Sequence, residues 1–180
     1  IGDEFDTSRR VKMQGVNHFD GLYDQSIWFD DALSAYFQRK GWSICQFSIL
    51  RPLSELLIEK TLSQRYPDLL KLQMSCHAAH KDVDRVRPCG SCEKCRRIVG
   101  MLLALGGDPA QCGYSKDQID QCLRDLSLKG IHQEREGIEH LGSLLFEKGL
   151  IRVPTLGSVG ARKRHEIMKL RFDPEKCPLE

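Results

Sequence analysis

Phe29, Leu33, Tyr36 and Phe37 recur at helical spacing behind Ser26, a residue suited to an N-cap. This pattern predicts a helix from Ser26 to Lys40, ended by Gly41. The run Ile44-Cys45-Gln46-Phe47-Ser48-Ile49-Leu50 mixes apolar and polar residues over a β-like length and stops at Pro52, which predicts a core strand. Leu53-Ser54 opens a second helix reaching about Arg65, with Leu56, Leu57 and Leu62 facing inward, and Pro67 starts a further turn or short helix. With Ile1 to Asp6 read as a strand entering a loop, the first part of the chain runs strand, helix, strand, helix.

From Met74 to Gly90 apolar residues are few and charges alternate, so this loop must take its order from something other than packing. Ile98, Val99, Leu102 and Leu103 then mark a buried helix from Glu93 to Leu105, closed by Gly106-Gly107. Ser115 with Gln118 fits a capping box, and Ile119, Cys122, Leu123 and Leu126 hold amphipathic spacing behind it. Ile138, Leu141 and Leu145 repeat that spacing in a helix ending near Gly149. Beyond Val153-Pro154 the tail carries Arg162, Lys163, Arg164, Lys169 and Arg171. There is no internal repeat.

At 180 residues and 41% hydrophobic the chain is long enough to bury a core, and its length favours one domain with an appendage. A formal charge of +2 gives no support to nucleic-acid binding over the whole surface, so any basic site must be local. No stretch approaches eighteen apolar residues and the opening is not a signal peptide, so a soluble, cytoplasmic protein with no membrane partner is expected. The chain opens at Ile1 without a methionine, and a preceding segment in the parent protein is expected.

Eight cysteines are too sparse for a small disulfide scaffold, and four of them stand at metal-ligand spacing. Cys89-Gly-Ser-Cys92 puts two thiolates on a tight turn, Cys95 follows in the first turn of the next helix, and Cys76 can close a tetrahedron by folding the polar loop back. The helix N-terminus stabilises thiolate charge there. A structural zinc ion is the expected occupant. Such a site carries about two negative charges, which Lys81, Arg85, Arg87, Lys94, Arg96 and Arg97 offset against Asp82, Asp84 and Glu93. Disulfides, unlinked thiols and an iron–sulfur cluster are the alternatives, and His77 or His80 could replace Cys76. Cys45, Cys112, Cys122 and Cys177 read as core or surface thiols.

The stretch from Phe47-Ser-Ile-Leu-Arg-Pro-Leu-Ser through Ser75-Cys76 to Pro88-Cys-Gly-Ser-Cys-Glu-Lys-Cys-Arg96 resembles the C-terminal half of the 7-cyano-7-deazaguanine synthases, members of the PP-loop ATP pyrophosphatase superfamily. The resemblance covers roughly residues 1 to 105, and the cysteine pattern is its specific part. It implies an α/β fold, a partial Rossmann-like parallel sheet over residues 1–75, with a four-cysteine zinc loop and helix at 76–105; a helical extension with a basic tail fills 106–180. The implied chemistry is a ligase reaction, with adenylation of a substrate carboxylate by ATP and loss of pyrophosphate. The superfamily's Ser-Gly-Gly-x-Asp-Ser phosphate loop is not in this sequence, and Gly106-Gly107-Asp108 reads as a helix C-cap instead.

Where that family carries its substrate loops, this chain has Gly2-Asp3-Glu4 and Tyr23-Asp24-Gln25-Ser26. Candidate ligand-binding residues are therefore Asp3, Glu4, Asp6, Asp20, Tyr23 and Asp24, and the carboxylates of the five acidic ones suit magnesium or a ligand amine. The expected partners of the full-length protein are a small-molecule substrate, ATP and magnesium, and no catalytic residue is assigned. The competing expectation is a zinc-stabilised, non-catalytic module that binds nucleic acid or a protein partner. For nucleic acid it would use the basic tail with Arg96 and Arg97.

Overall fold

The computed structural model describes residues 2–5, 10–19, 23–83, 85–130 and 135–152. Among them the helices are α1 (Ile27–Arg39), α2 (Glu55–Arg65), α3 (Pro67–Leu70), α4 (Glu93–Leu105), α5 (Lys116–Lys129) and α6 (Arg135–Glu147). Two short antiparallel hairpins, β1 (Arg10–Met13) with β2 (Val16–Phe19) and β3 (His80–Lys81) with β4 (Val86–Arg87), make up the strands. The described chain is thus mixed but mostly helical. No helix among the described residues is long and apolar enough to cross a membrane.

Caps decide where these helices begin. The side chains of Ser26 and Ser54 accept hydrogen bonds from the Phe29 and Leu57 N–H groups, and Ser115 and Gln118 form the reciprocal capping box. Gly106 closes α4 at φ 79°, a left-handed conformation that a Cβ would oppose.

Helix α4 is the centre of the core. Cys95, Ile98, Val99, Met101, Leu102 and Ala104 are all buried on it, in one cluster with Leu56, Leu70, Cys122, Leu126, Leu141 and Leu145. Gly100 permits the close approach. A Cβ there would lie 3.2 Å from Leu126 Cδ1 and 3.7 Å from Leu141 Cδ2 and Leu145 Cδ1, so α5 and α6 converge on one turn of α4. The helix that follows the cysteines is therefore also the one that the rest of the core surrounds.

The first part of the chain departs from expectation. The parallel sheet anticipated for residues 1–75 is not among the described pairings, both of which are antiparallel. Gly2 to Glu4 are irregular, and so is the run from Ile44 to Ser48 anticipated as a core strand. A strand exists by pairing its backbone with another strand, and none lies beside this run among the described residues. Ser34 of α1 takes the neighbour's place at one residue, its Oγ accepting from the Gln46 N–H at 2.9 Å and donating to the Gln46 carbonyl at 3.2 Å. Ile44, Phe47 and Ile49 consequently stay exposed at 50%, 61% and 72%. On α1 the buried residue is Asp30, while the apolar row of Phe29, Leu33 and Phe37 is only half-covered. The hairpin of β1 and β2, unanticipated, turns on Gln14 and Gly15, both at positive φ (50° and 84°) as tight hairpins require. Arg10 anchors it to α1 by stacking 4.1 Å above the Trp28 ring.

Candidate metal centre

The four cysteines singled out by spacing meet. One Sγ from each of Cys76, Cys89, Cys92 and Cys95 lies within 4.8 Å of the other three, an arrangement able to hold a metal ion. The Cys76–Cys92 and Cys89–Cys95 pairs are 3.8 Å apart and the Cys92–Cys95 pair 3.4 Å. Four thiolates at about 2.3 Å from one tetrahedral ion are separated by roughly 3.8 Å, so these spacings match a single ion. They are far from the roughly 2.05 Å of a disulfide, and all four thiols are free. His77 and His80 are exposed and neither belongs to the group, so Cys76 keeps the fourth position.

Local backbone turns supply the geometry. Cys89 Sγ accepts from the N–H groups of Ser91 (3.5 Å) and Cys92 (3.3 Å), and Cys76 Sγ from those of Ala78 (3.3 Å) and Cys89 (3.2 Å). Those donors favour thiolate over thiol, although at Cys76 burial outweighs them and raises the pKa. At Cys89 burial opposes ionisation, but the Ser91 hydroxyl and the N–H groups of Ser91 and Cys92 outweigh it and bring the thiol down to about 6. Burial pushes Cys95 the other way, well above an ordinary thiol, although Tyr114 donates a hydrogen bond to it. Four thiols packed together cannot all ionise unaided, so a bound cation is what would make all of them thiolates.

The core then grips the turn from behind. Cys95 is fully buried on α4, and Tyr114, 5% exposed, backs it. Gln118 completes the α5 capping box through its Oε1 and uses its Nε2 to donate to the Pro88 carbonyl at 3.1 Å. Buried Cys122 donates to the Gly90 carbonyl at 3.3 Å. Gly90, at φ 70°, lies so close to Gln118 that any Cβ would collide with that side chain. Sequence spacing could not reveal Tyr114, Gln118 or Cys122 as supports, because each reaches the turn through tertiary packing; the capping-box signal found Gln118 for another reason. Cys112 and Cys122 are core thiols as expected, Cys45 is exposed, and Cys177 lies outside the described residues.

The basic residues near the cluster divide by role. Arg97 pairs with Glu55 at 3.1 Å and joins α4 to α2, while Arg96 donates to the Ser91 carbonyl at 3.3 Å. Arg87 pairs with Asp82 at 2.7 Å across the β3–β4 hairpin. Asp84 and the basic tail from Arg162 to Arg171 lie outside the described residues.

The anticipated ligand loops are brought together, around a residue not singled out. Arg51 donates to the carbonyls of Glu4 (3.1 Å) and Gln25 (2.8 Å), pairs with buried Asp30 at 2.9 Å and lies 3.7 Å from the Asp3 carboxylate. Asp3 is therefore engaged in an ion pair, and its carbonyl accepts from Ser48 Oγ at 2.6 Å. Tyr23 stacks edge-on against Phe29, and Asp24 is exposed in a short 3-10 turn. Asp6 and Asp20 fall outside the described residues. No protein-family model, no curated protein and no solved structure matches this chain.

Proposed function

We propose that Cys76, Cys89, Cys92 and Cys95 hold one structural zinc ion, and that the chain is the zinc-bearing C-terminal portion of an ATP-dependent PP-loop enzyme similar to the 7-cyano-7-deazaguanine synthases. The observation that carries the metal reading is the set of near-tetrahedral Sγ separations, 3.8 Å for two pairs. Bound there, zinc would supply a cross-link and no Lewis-acid site, since four thiolates fill its shell and leave no position for water or substrate. The residues of the chain do the rest: Ser91 and the turn N–H groups hold the thiolates, and Gln118 and Cys122 dock the loop on α5.

The enzyme reading is supported by the sequence resemblance and by the surface that the first part of the chain leaves uncovered. Phe37, Ile44, Phe47 and Ile49 line an open apolar groove of about 460 Å³, the kind of surface that marks a contact with further protein. A Rossmann-like sheet with strand neighbours for residues 44–50 would cover it. In that arrangement Arg51, by tying Gly2–Phe5 to Tyr23–Gln25, would order the loops that meet the substrate. The runner-up reading is a zinc-stabilised binding module without ATP chemistry.

Two measurements test these readings separately. Elemental analysis of the purified chain should give about one zinc per molecule; iron with a visible absorption band, or no metal, overturns the metal assignment. Pyrophosphate release from ATP, measured on the complete parent protein with candidate carboxylates, tests the enzyme. Absence of any ATP turnover there leaves the binding module as the better account.

A further inference from the structure

A polar cavity of about 380 Å³ lies between the β3–β4 hairpin and the start of α5, lined by Arg85, Arg87, Gly113, Tyr114, Ser115 and Gln118. Its volume is within the range of small-molecule sites. Two of the lining side chains are guanidinium groups and none is acidic. Arg87 is oriented by its Nε bond to Asp82, at 2.7 Å, which leaves the two terminal nitrogens of its fork for another acceptor. Asp82 is kept ionised by the Val83 N–H and by Arg87 itself. Arg85 makes no hydrogen bond or ion pair through its side chain among the described residues. Its guanidinium lies directly over Gly113, where any Cβ would collide with it. Gly113, at φ 88°, therefore both turns the chain and clears the floor on which Arg85 rests. The N-terminus of α5 is already satisfied by its capping box, so the positive charge of the cavity comes from the two arginines.

We infer that this cavity binds a phosphate group, with Arg85 and Arg87 as its two charged donors. Planar guanidinium forks match phosphate oxygens two at a time, which suits a tetrahedral oxyanion held between two arginines. Both arginines belong to the loop between Cys76 and Cys89, so the site depends on the proposed metal to hold the hairpin against α5. The phosphate can come from a free nucleotide or from a nucleic-acid backbone. The chemistry recognised is the same.

The test uses the whole chain with its zinc content measured in the same sample. Inorganic phosphate, a ribonucleoside 5′-monophosphate and a short single-stranded oligoribonucleotide without terminal phosphate are titrated separately while backbone amide resonances are followed. Saturable shifts at Gly113 and Ser115 are expected with at least one probe. The R85Q/R87Q double variant, both positions being partly or fully exposed, should bind at least about tenfold more weakly. Saturation by the monophosphate alone assigns the site to nucleotides, and saturation by the oligonucleotide, weakening steeply with salt, assigns it to a strand. No saturable shift in a fully zinc-loaded chain, or equal affinity in a folded R85Q/R87Q variant, overturns the inference while leaving the metal assignment standing. A second variant, R85K, separates geometry from charge: a lysine that restores full affinity would refute the forked contact at that position.

Discussion

Replacing Cys76 with serine is the most informative single perturbation, because Cys76 alone joins the polar loop to the other three ligands. Cys89, Cys92 and Cys95 come from one turn and the helix behind it and stay close to one another without help from distant chain. Cys76 is 13 residues before Cys89, and the hydrogen bond from the Cys89 N–H to Cys76 Sγ, at 3.2 Å, is the contact that closes this span. Closing a loop of that length costs about 3 kcal/mol of chain entropy, by the same estimate used for cross-links. The metal offsets that cost only while Cys76 is bound to it. Cys76→Ser removes one of the four thiolates and also frees the loop from that closure cost, so zinc binding should weaken by the difference between the two, at least about tenfold. Competition with a chromophoric chelator measures this directly. The loop also carries Lys81 and Arg85, each followed by a residue other than proline, so limited trypsin digestion reports whether it has opened. In the zinc-loaded parent these sites should resist cleavage, and in Cys76→Ser they should be cut first. Cys45→Ser, at an exposed thiol outside the cluster, should change neither readout. Unaltered zinc affinity and unaltered trypsin resistance in Cys76→Ser would show that the fourth ligand is something else.

Three further outcomes follow from the packing. Leu102 is fully buried at the centre of α4, so Leu102→Ala should cost about 2–5 kcal/mol in denaturant unfolding, and a loss below about 1 kcal/mol would contradict the placement of the core. Gln118→Ala removes both the capping-box acceptor and the bond to Pro88, and should cost about 1–2 kcal/mol of stability together with a measurable fall in zinc affinity; stability loss without any effect on zinc would break the proposed link between α5 and the metal turn. Glu59 is 3% exposed, with Oε2 bonded to Gln73 at 2.7 Å and Oε1 unpartnered, and burial raises its pKa. The folded state thus holds this proton more tightly, a contribution fully present below the unfolded pKa and lost as pH rises through the folded one. Glu59→Gln should remove that loss, so the stability difference between variant and parent should grow in the variant's favour as pH rises; a difference independent of pH refutes it.

Much of the helical framework was legible in the sequence because its signals are local. Ser26, Ser54 and Ser115 start helices where their side chains can meet N–H groups three residues on, and Gly106 ends α4 where a positive φ is needed. The buried faces of α4 and α5 follow from the spacing of Ile98, Val99, Leu102, Cys122 and Leu126. The cysteine cluster was legible for the same reason: three of its ligands lie within seven residues, and a turn followed by a helix brings such residues together whatever the remainder of the chain does.

Strand identity was not local in this way. The run from Ile44 to Leu50 has strand-like composition, yet whether it becomes a strand depends on a neighbour that offers backbone partners, and among the described residues Ser34 is what lies beside it. The same holds for the role of Arg51, whose contacts to Glu4, Gln25 and Asp30 are 47, 26 and 21 residues away, and for the cavity between Arg85 and Gly113. Sequence by itself determined where helices begin and end and which four thiols share one ion-sized space, since capping and short-range chelation act over a few residues. Only the tertiary structure decided which strands pair, which charges are spent on ion pairs, and which two arginines face an open cavity, because those outcomes depend on residues that meet across long stretches of chain.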